Sequence, residues 1–339
     1  MTGRAARARA WVLAITVGAV MLAACGSSGA IGTRAADPKP PAGAESRDPA
    51  EPGPYGVRLT RMTFERPANA DGSPRTLETW IWYPAARDAT DSSPAAAVEP
   101  ADGLFPIVVF SHGSGGQPNF YKYFTEHLAS WGFVVAAPPH PGNTSADCFP
   151  CTGASIIPSA RERPADVEFV LDRMLALKDD PSQPLGTIID TSRTALAGHS
   201  FGGWTAVFAA TSGRFGAVVS MAPGLPETLL VRAEDVDVPV LLIGGGLDEL
   251  IPPDSITKLY SALPGGAKTY VSLPEGHHTS FTDRCFGCTD ALSEVRGHDL
   301  INRYATAFLE TYVTKDERYA HYLREDVAPD AAIVHDAAY

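Results

Sequence analysis

One serine, one aspartate and a pair of histidines, each just beyond an apolar run, are the residues of this chain whose types and order could do chemistry. Ser200 sits in Gly198-His-Ser-Phe-Gly202, the G-x-S-x-G spacing of a strand that turns sharply into a helix. So tight a turn requires residues without a Cβ two positions either side of the serine. Its Oγ then stands free of the sheet, beside the N–H groups and positive dipole end of the following helix. By itself the pattern also fits a glycine-rich turn whose serine merely caps the helix. The partners must decide.

A serine hydroxyl becomes a useful nucleophile when an adjacent base takes its proton and a third group orients that base. Asp248 ends Gly244-Gly-Gly-Leu-Asp248, directly after the apolar residues 240–243, and is placed to accept an imidazole N–H. Glu249 is read as pointing elsewhere, and Asp254 as a helix N-terminal residue. A turn-forming role is the plain alternative for Asp248. Of nine histidines, only His277 and His278 lie in the loop directly after the last strand, residues 268–273. One would be the general base and the other a neighbour or a substrate contact.

Acyl transfer also needs donors aimed at the developing oxyanion. The N–H of Phe201 is one expectation. The other comes from His112-Gly-Ser-Gly-Gly116, where the N–H of Ser114 or of a glycine beside it can point inward. His112, Gly113 and His277 border the substrate space and are taken as its contacts. As for bases, His112 and His199 are read instead as packing and hydrogen-bonding residues, and His127, His140 and His298 as structural or exposed.

These residues must be held by alternating strands and helices. Residues 105–110, 133–137 and 240–243 are continuous apolar runs, as in parallel strands buried on both faces. Residues 56–64 and 76–83 alternate like more exposed strands. Helices are expected over 120–131, 160–177, 254–263 and 291–314, with Val167, Val170, Leu171, Met174 and Leu177 on one stripe of the second. Residues 140–157 read as a long loop. The pattern is α/β, a mostly parallel sheet with helices on both faces, and no internal repeat divides it.

The first 24 residues carry three arginines, no acid and a short apolar run, ending in Leu22-Ala-Ala-Cys25. This is the form of a lipoprotein signal that leaves Cys25 lipidated at the mature N-terminus; an ordinary secretory signal is the alternative. Residues 25–54, rich in Ala, Gly, Pro and Ser, read as a flexible tether, 55–325 as one catalytic domain and 326–339 as a tail. Without residues 1–24 the chain has 24 basic against 39 acidic residues, a net charge of −15. That excludes an electrostatic nucleic-acid binder.

Four further cysteines form two C-x-x-C pairs, Cys148/Cys151 and Cys285/Cys288. In an exported chain they imply two disulfides, either local or bridging the two loops; a four-thiolate zinc site has the right ligand count but the wrong compartment.

These residues resemble the α/β-hydrolase branch that contains platelet-activating-factor acetylhydrolase and the bacterial predicted dienelactone hydrolases. The likeness rests on Phe110-Ser-His-Gly113, Glu126-His-Leu-Ala-Ser-Trp-Gly-Phe-Val-Val-Ala-Ala137, Gly198-His-Ser-Phe-Gly-Gly203 and His278-Thr-Ser-Phe281. It implies Ser200 as nucleophile, Asp248 as acid, His278 rather than His277 as base, and an oxyanion hole from Ser114 and Phe201. True dienelactone hydrolases use a cysteine, from which Ser200 departs. The elbow and the Gly-Gly-x-Leu-Asp loop are also similar to bacterial polyester hydrolases and cutinases. The resulting expectation is an exported, membrane-anchored serine esterase for short-chain, phospholipid or polyester substrates, without metal or cofactor. An amidase or peptidase of this fold and a non-catalytic surface lipoprotein are the alternatives.

Overall fold

The computed structural model describes residues 47–67, 74–86, 100–224, 232–285, 292–328 and 331–336. The targeting segment, Cys25, most of the tether and Cys288 lie outside them. All described residues belong to one compact unit. Its strands are β1 (Gly56–Arg66), β2 (Arg75–Ala85), β3 (Phe105–Ser111), β4 (Val134–Ala137), β5 (Ile189–His199), β6 (Val218–Met221), β7 (Val240–Gly245), β8 (Lys268–Leu273) and β9 (Ile333–Asp336). Its α-helices are α1 (Lys122–Ser130), α2 (Gly153–Ala176), α3 (Phe201–Ala210), α4 (Pro253–Ala262) and α5 (Glu294–Leu309).

The strands form one sheet in the order β1-β2-β4-β3-β5-β6-β7-β8-β9. From β4 to β8 every pairing is parallel, whereas β1, β2 and β9 run antiparallel to their neighbours. This is the mostly parallel α/β sheet that the alternation predicts, in the form that the resemblance to α/β-hydrolases implies. The apolar strands are divided residue by residue between two cores, because successive side chains point to opposite faces. Val108 and Phe110 of β3 join Leu241 and Ile243 of β7 in a core with Phe124 and Leu128 of α1 and Tyr304 and Phe308 of α5. Ile107 and Val109 join Leu242 in the other, under Val167, Val170 and Met174 of α2, Val207 of α3 and Ile256 of α4.

The order reverses at β3, which lies between β4 and β5. Ligands in open α/β sheets bind beyond the strand C-termini at such a reversal. The Ser114 loop leaves β3 there, and Ser200 leaves β5 beside it.

Three boundaries differ from the sequence reading. The tether ends earlier than residue 54: Trp131 Nε1 donates to the Glu51 carbonyl at 2.9 Å, Gly53 N–H to Ser130 Oγ at 2.8 Å, and Arg303 pairs with Asp48 at 2.9 Å. Polar composition hid this strap because it is held by hydrogen bonds rather than by an apolar stripe. The tail is likewise part of the fold, since β9 pairs with β8. Finally, α2 begins at Gly153 and carries Pro158 and Pro164 within it, so the loop after β4 is shorter than expected. Packing overrides the helix-breaking tendency of proline there.

Candidate active site

Ser200 has φ 56° and ψ −120°, a backbone conformation that non-glycine residues avoid and that stores about 1–3 kcal/mol. Its neighbours enforce it. Ser200 N–H donates to the Met221 carbonyl of β6 at 2.8 Å, and its own carbonyl accepts from Trp204 N–H at 3.0 Å. A Cβ on Gly198 would collide with the Gly202 carbonyl, one on Gly202 with the Ser111 carbonyl of β3, and one on Gly203 would lie 2.9 Å from the Met221 carbonyl oxygen. Helix α3 can therefore start directly against the ends of β3 and β6.

His278 follows β8, in the short 3-10 turn His278–Phe281. Its Nε2 lies 3.0 Å from Ser200 Oγ and its Nδ1 2.8 Å from Asp248 Oδ2. The second carboxylate oxygen of Asp248 accepts from Leu250 N–H at 2.9 Å and Ile251 N–H at 2.7 Å. The Asp248 carboxylate is buried and placed to accept the Nδ1–H, an arrangement that turns Nε2 toward the serine hydroxyl. His199 lies against this imidazole, ring centroids 4.7 Å apart, and also stacks on Phe281. Burial, and then the charge of His278, hold His199 well below its ordinary value, so it stays neutral.

The loop after β3 is pinned from several sides. Gly113 N–H donates to Tyr121 Oη at 2.9 Å, Gly115 N–H to the Asn143 carbonyl at 3.2 Å, and Gly116 N–H to the Gly113 carbonyl at 3.0 Å. Below it, Arg163 of α2 is wholly buried and donates to the His112 carbonyl at 2.5 Å and to Asn143 Oδ1 at 2.7 Å. Burial draws its guanidinium down to about 9, leaving it charged at neutral pH. A second buried set stands beside it. Arg75 of β2 forks onto Asp166 of α2 at 2.7 and 2.8 Å; Asp166 accepts from His140 Nδ1 at 2.9 Å; His140 Nε2 meets Ser111 Oγ at 2.9 Å. This Ser-His-Asp line copies the outer triad, but all three residues are at 0% exposure, so no substrate reaches it.

The profile described as PET hydrolase-like matches residues 100–337, more than half of the chain. The chain belongs to the PET hydrolase-like family. Among curated relatives of this PET hydrolase-like protein, cutinase est1 of Thermobifida alba is 28% identical over 226 residues, covering 66% of this chain and 65% of the relative. Chlorophyllase-1 of Citrus unshiu is 29% identical over 205 residues, covering 57% and 54%. Platelet-activating factor acetylhydrolase of Cavia porcellus is 22% identical over 261 residues, covering 63% and 59%. The chain thus matches less than two thirds of each relative's own length.

Ser200, Asp248 and His278 of the PET hydrolase-like chain are brought into one hydrogen-bonded line. His277 stands apart from it, its Nδ1 3.0 Å from Glu249 Oε1. One expectation needs correction. His112 has no exposed surface and cannot touch a substrate; its Nδ1 is 2.7 Å from the Gly113 carbonyl and its Nε2 accepts from His140 N–H at 3.1 Å. Burial keeps it neutral. Gly113 is also buried, with its N–H and carbonyl both engaged, although it does lie against Ser200.

The cysteine alternatives narrow too. Cys148 and Cys151 are bonded to each other, so a bridge across the two loops and a four-thiolate metal site are both excluded. Cys285 is disulfide-bonded as well. Sequence reasoning missed Arg163 and Asp166. The signal was present: they continue the inner stripe of α2 backwards, four residues before Val167 and Val170 respectively, where apolar residues belong.

Proposed function

We propose that this chain is a serine esterase cleaving carboxylic esters through a covalent acyl-enzyme. The observation that carries the reading is the single imidazole bridging Ser200 Oγ and Asp248 Oδ2. Ser200 Oγ attacks the ester carbonyl as its proton passes to His278 Nε2, and the carbonyl oxygen takes up the negative charge. Collapse breaks the bond to the alkoxy oxygen, which leaves as the alcohol with the proton from His278. Water then loses a proton to the same nitrogen, attacks the acyl-enzyme and releases the acid and Ser200. Asp248 stabilises the imidazolium at both steps.

The oxyanion donors are the N–H groups of Phe201 and Ser114. Those of Gly113, Gly115 and Gly116 are already used within the fold, whereas no hydrogen bond among the described residues takes up Ser114 N–H. Short-chain esters, oxidised or acetylated phospholipids and polyester fragments are the substrate classes supported by the cutinase and acetylhydrolase relatives. Phe149 and Leu250, 85% and 69% exposed, stand on loops of the same end of the sheet and favour an ester with apolar bulk.

The test is hydrolysis of p-nitrophenyl esters from acetate to palmitate by a chain lacking residues 1–25, beside Ser200→Ala. Turnover that declines beyond butyrate and disappears in the variant supports the reading. Absence of any Ser200-dependent ester turnover overturns it.

Export and lipidation at Cys25 belong to the same proposal. Support comes from Leu22-Ala-Ala-Cys25 and from the Cys148–Cys151 bridge, which an oxidising compartment preserves. Labelled palmitate should enter the full chain and not Cys25→Ala.

A further inference from the structure

We infer that Arg163 is the positioning residue for both halves of the oxyanion hole, an assignment that rests on the esterase reading and extends it. The argument begins with peptide geometry. In a planar trans peptide, the carbonyl of one residue and the N–H of the next point in opposite directions. Whatever grips the Gly113 carbonyl therefore aims the Ser114 N–H, and whatever grips the His112 carbonyl aims the Gly113 N–H.

Arg163 grips both. Its Nη1 donates to the His112 carbonyl at 2.5 Å and its Nη2 to the Gly113 carbonyl at 3.3 Å. The opposite end of the first peptide, Gly113 N–H, is fixed by Tyr121 Oη. At the opposite end of the second is the Ser114 N–H, which no partner holds among the described residues. The Gly113 carbonyl is further held by His112 Nδ1 and Gly116 N–H, so its peptide plane has little freedom to rotate.

The same guanidinium lies over the ring of Phe201, with Cζ 4.3 Å from the centroid. Phe201 carries the other donor N–H. One buried cation therefore touches Phe201, which bears one half of the hole, and the carbonyl of the peptide whose N–H is the other half. It is not spent on an ion pair: its hydrogen bonds go to two loop carbonyls and to Asn143 Oδ1, while Asp166 is occupied by Arg75 and His140. Lysine can substitute only in part, since a single ammonium lacks the planar fork that reaches His112 on one side and Asn143 and Gly113 on the other.

The experiment compares p-nitrophenyl butyrate with its thiono analogue, in which sulfur replaces the carbonyl oxygen. Sulfur is larger and accepts hydrogen bonds weakly, so an intact oxyanion hole discriminates strongly for the oxygen ester. Arg163→Met should lower kcat/KM on the oxygen ester about 10²-fold, the effect of losing a well-aimed donor, and lower it far less on the thiono ester. The oxygen-to-sulfur rate ratio should then collapse, by about tenfold or more, with Arg163→Lys intermediate.

Parallel losses on both esters would mean general damage to the fold and overturn the assignment, as would unchanged rates. Should Arg163→Met fail to fold, the ratio in Arg163→Lys decides by the same criterion. A wild-type chain with no Ser200-dependent turnover on either ester would instead remove the esterase reading, and this assignment with it.

Discussion

The Cα of Gly202 faces the carbonyl oxygen of Ser111 with no room for a Cβ between them. This contact lets α3 begin against the end of β3, and so sets the nucleophile beside the loop proposed to hold the oxyanion. Gly202→Ala should therefore drive the two elements apart. We expect about 1–3 kcal/mol of destabilisation from overpacking, with loss of most ester turnover. Gly153, where an added Cβ meets nothing within 4 Å, is the control. Thermal melting and p-nitrophenyl butyrate assays of both variants give the comparison, and equal effects would refute the packing argument.

Asp248 is both a hydrogen-bond acceptor for its own loop and the partner of His278. Asp248→Asn keeps the acceptor for Leu250 and Ile251 N–H but presents an amide N–H toward His278 Nδ1. The imidazole must then carry its proton on Nε2, the wrong nitrogen for a base. A kcat loss of about 10⁴-fold with little change in KM or melting temperature is expected. A loss below tenfold would show that Asp248 does not set the tautomer.

The succession of strands along the chain and the candidate residues Ser200, Asp248 and His278 were legible because each of the three follows a run of apolar residues long enough to be a buried strand. The G-x-S-x-G pattern, Gly244-Gly-Gly-Leu-Asp248 and His277-His278 needed no more than that ordering. The supporting side chains were harder to find. Arg75 takes the first position of an alternating strand, a buried one, and Arg163 and Asp166 sit one turn before an apolar stripe, so each looked like an ordinary surface charge. Their partners, Asn143, His140 and the His112 carbonyl, are distant in sequence and meet them only once the sheet forms. The strap at residues 48–53 and strand β9 were hidden for a related reason. The strap is added to the body by hydrogen bonds between its backbone and side chains of the body, and β9 by a backbone ladder, neither of which leaves much trace in a hydrophobic pattern.

Adjacent histidines invite confusion, and geometry separates them. His277 Nδ1 pairs with Glu249, which is largely exposed, whereas His278 joins Ser200 to Asp248. His278→Ala should lose about 10⁴-fold or more in kcat. His277→Ala should remain an active esterase with a similar pH profile. Glu249→Gln should leave the melting temperature unchanged, as expected for a solvent-screened pair. Inactivity of His277→Ala alongside a functional His278→Ala would reverse the assignment of the base.

Far from the serine, Glu310 begins the π-helical turn Glu310–Thr314 that closes α5. It is buried, and its carboxyl accepts from Thr314 Oγ1 at 2.6 Å. Burial, reinforced by Asp316 and only partly opposed by Arg193 and Arg318, raises it from 4.5 to about 7. Between those two values the folded chain retains a proton that the unfolded chain has released. Stability from this group is therefore full below pH 4.5 and declines as pH rises toward 7, by on the order of 3 kcal/mol in total. Glu310→Gln is neutral at every pH and escapes the decline. The variant should melt close to wild type at pH 5 and clearly above it at pH 8. A difference in melting temperature that stays constant between pH 5 and pH 8 would show that Glu310 is already ionised throughout that range in the folded chain.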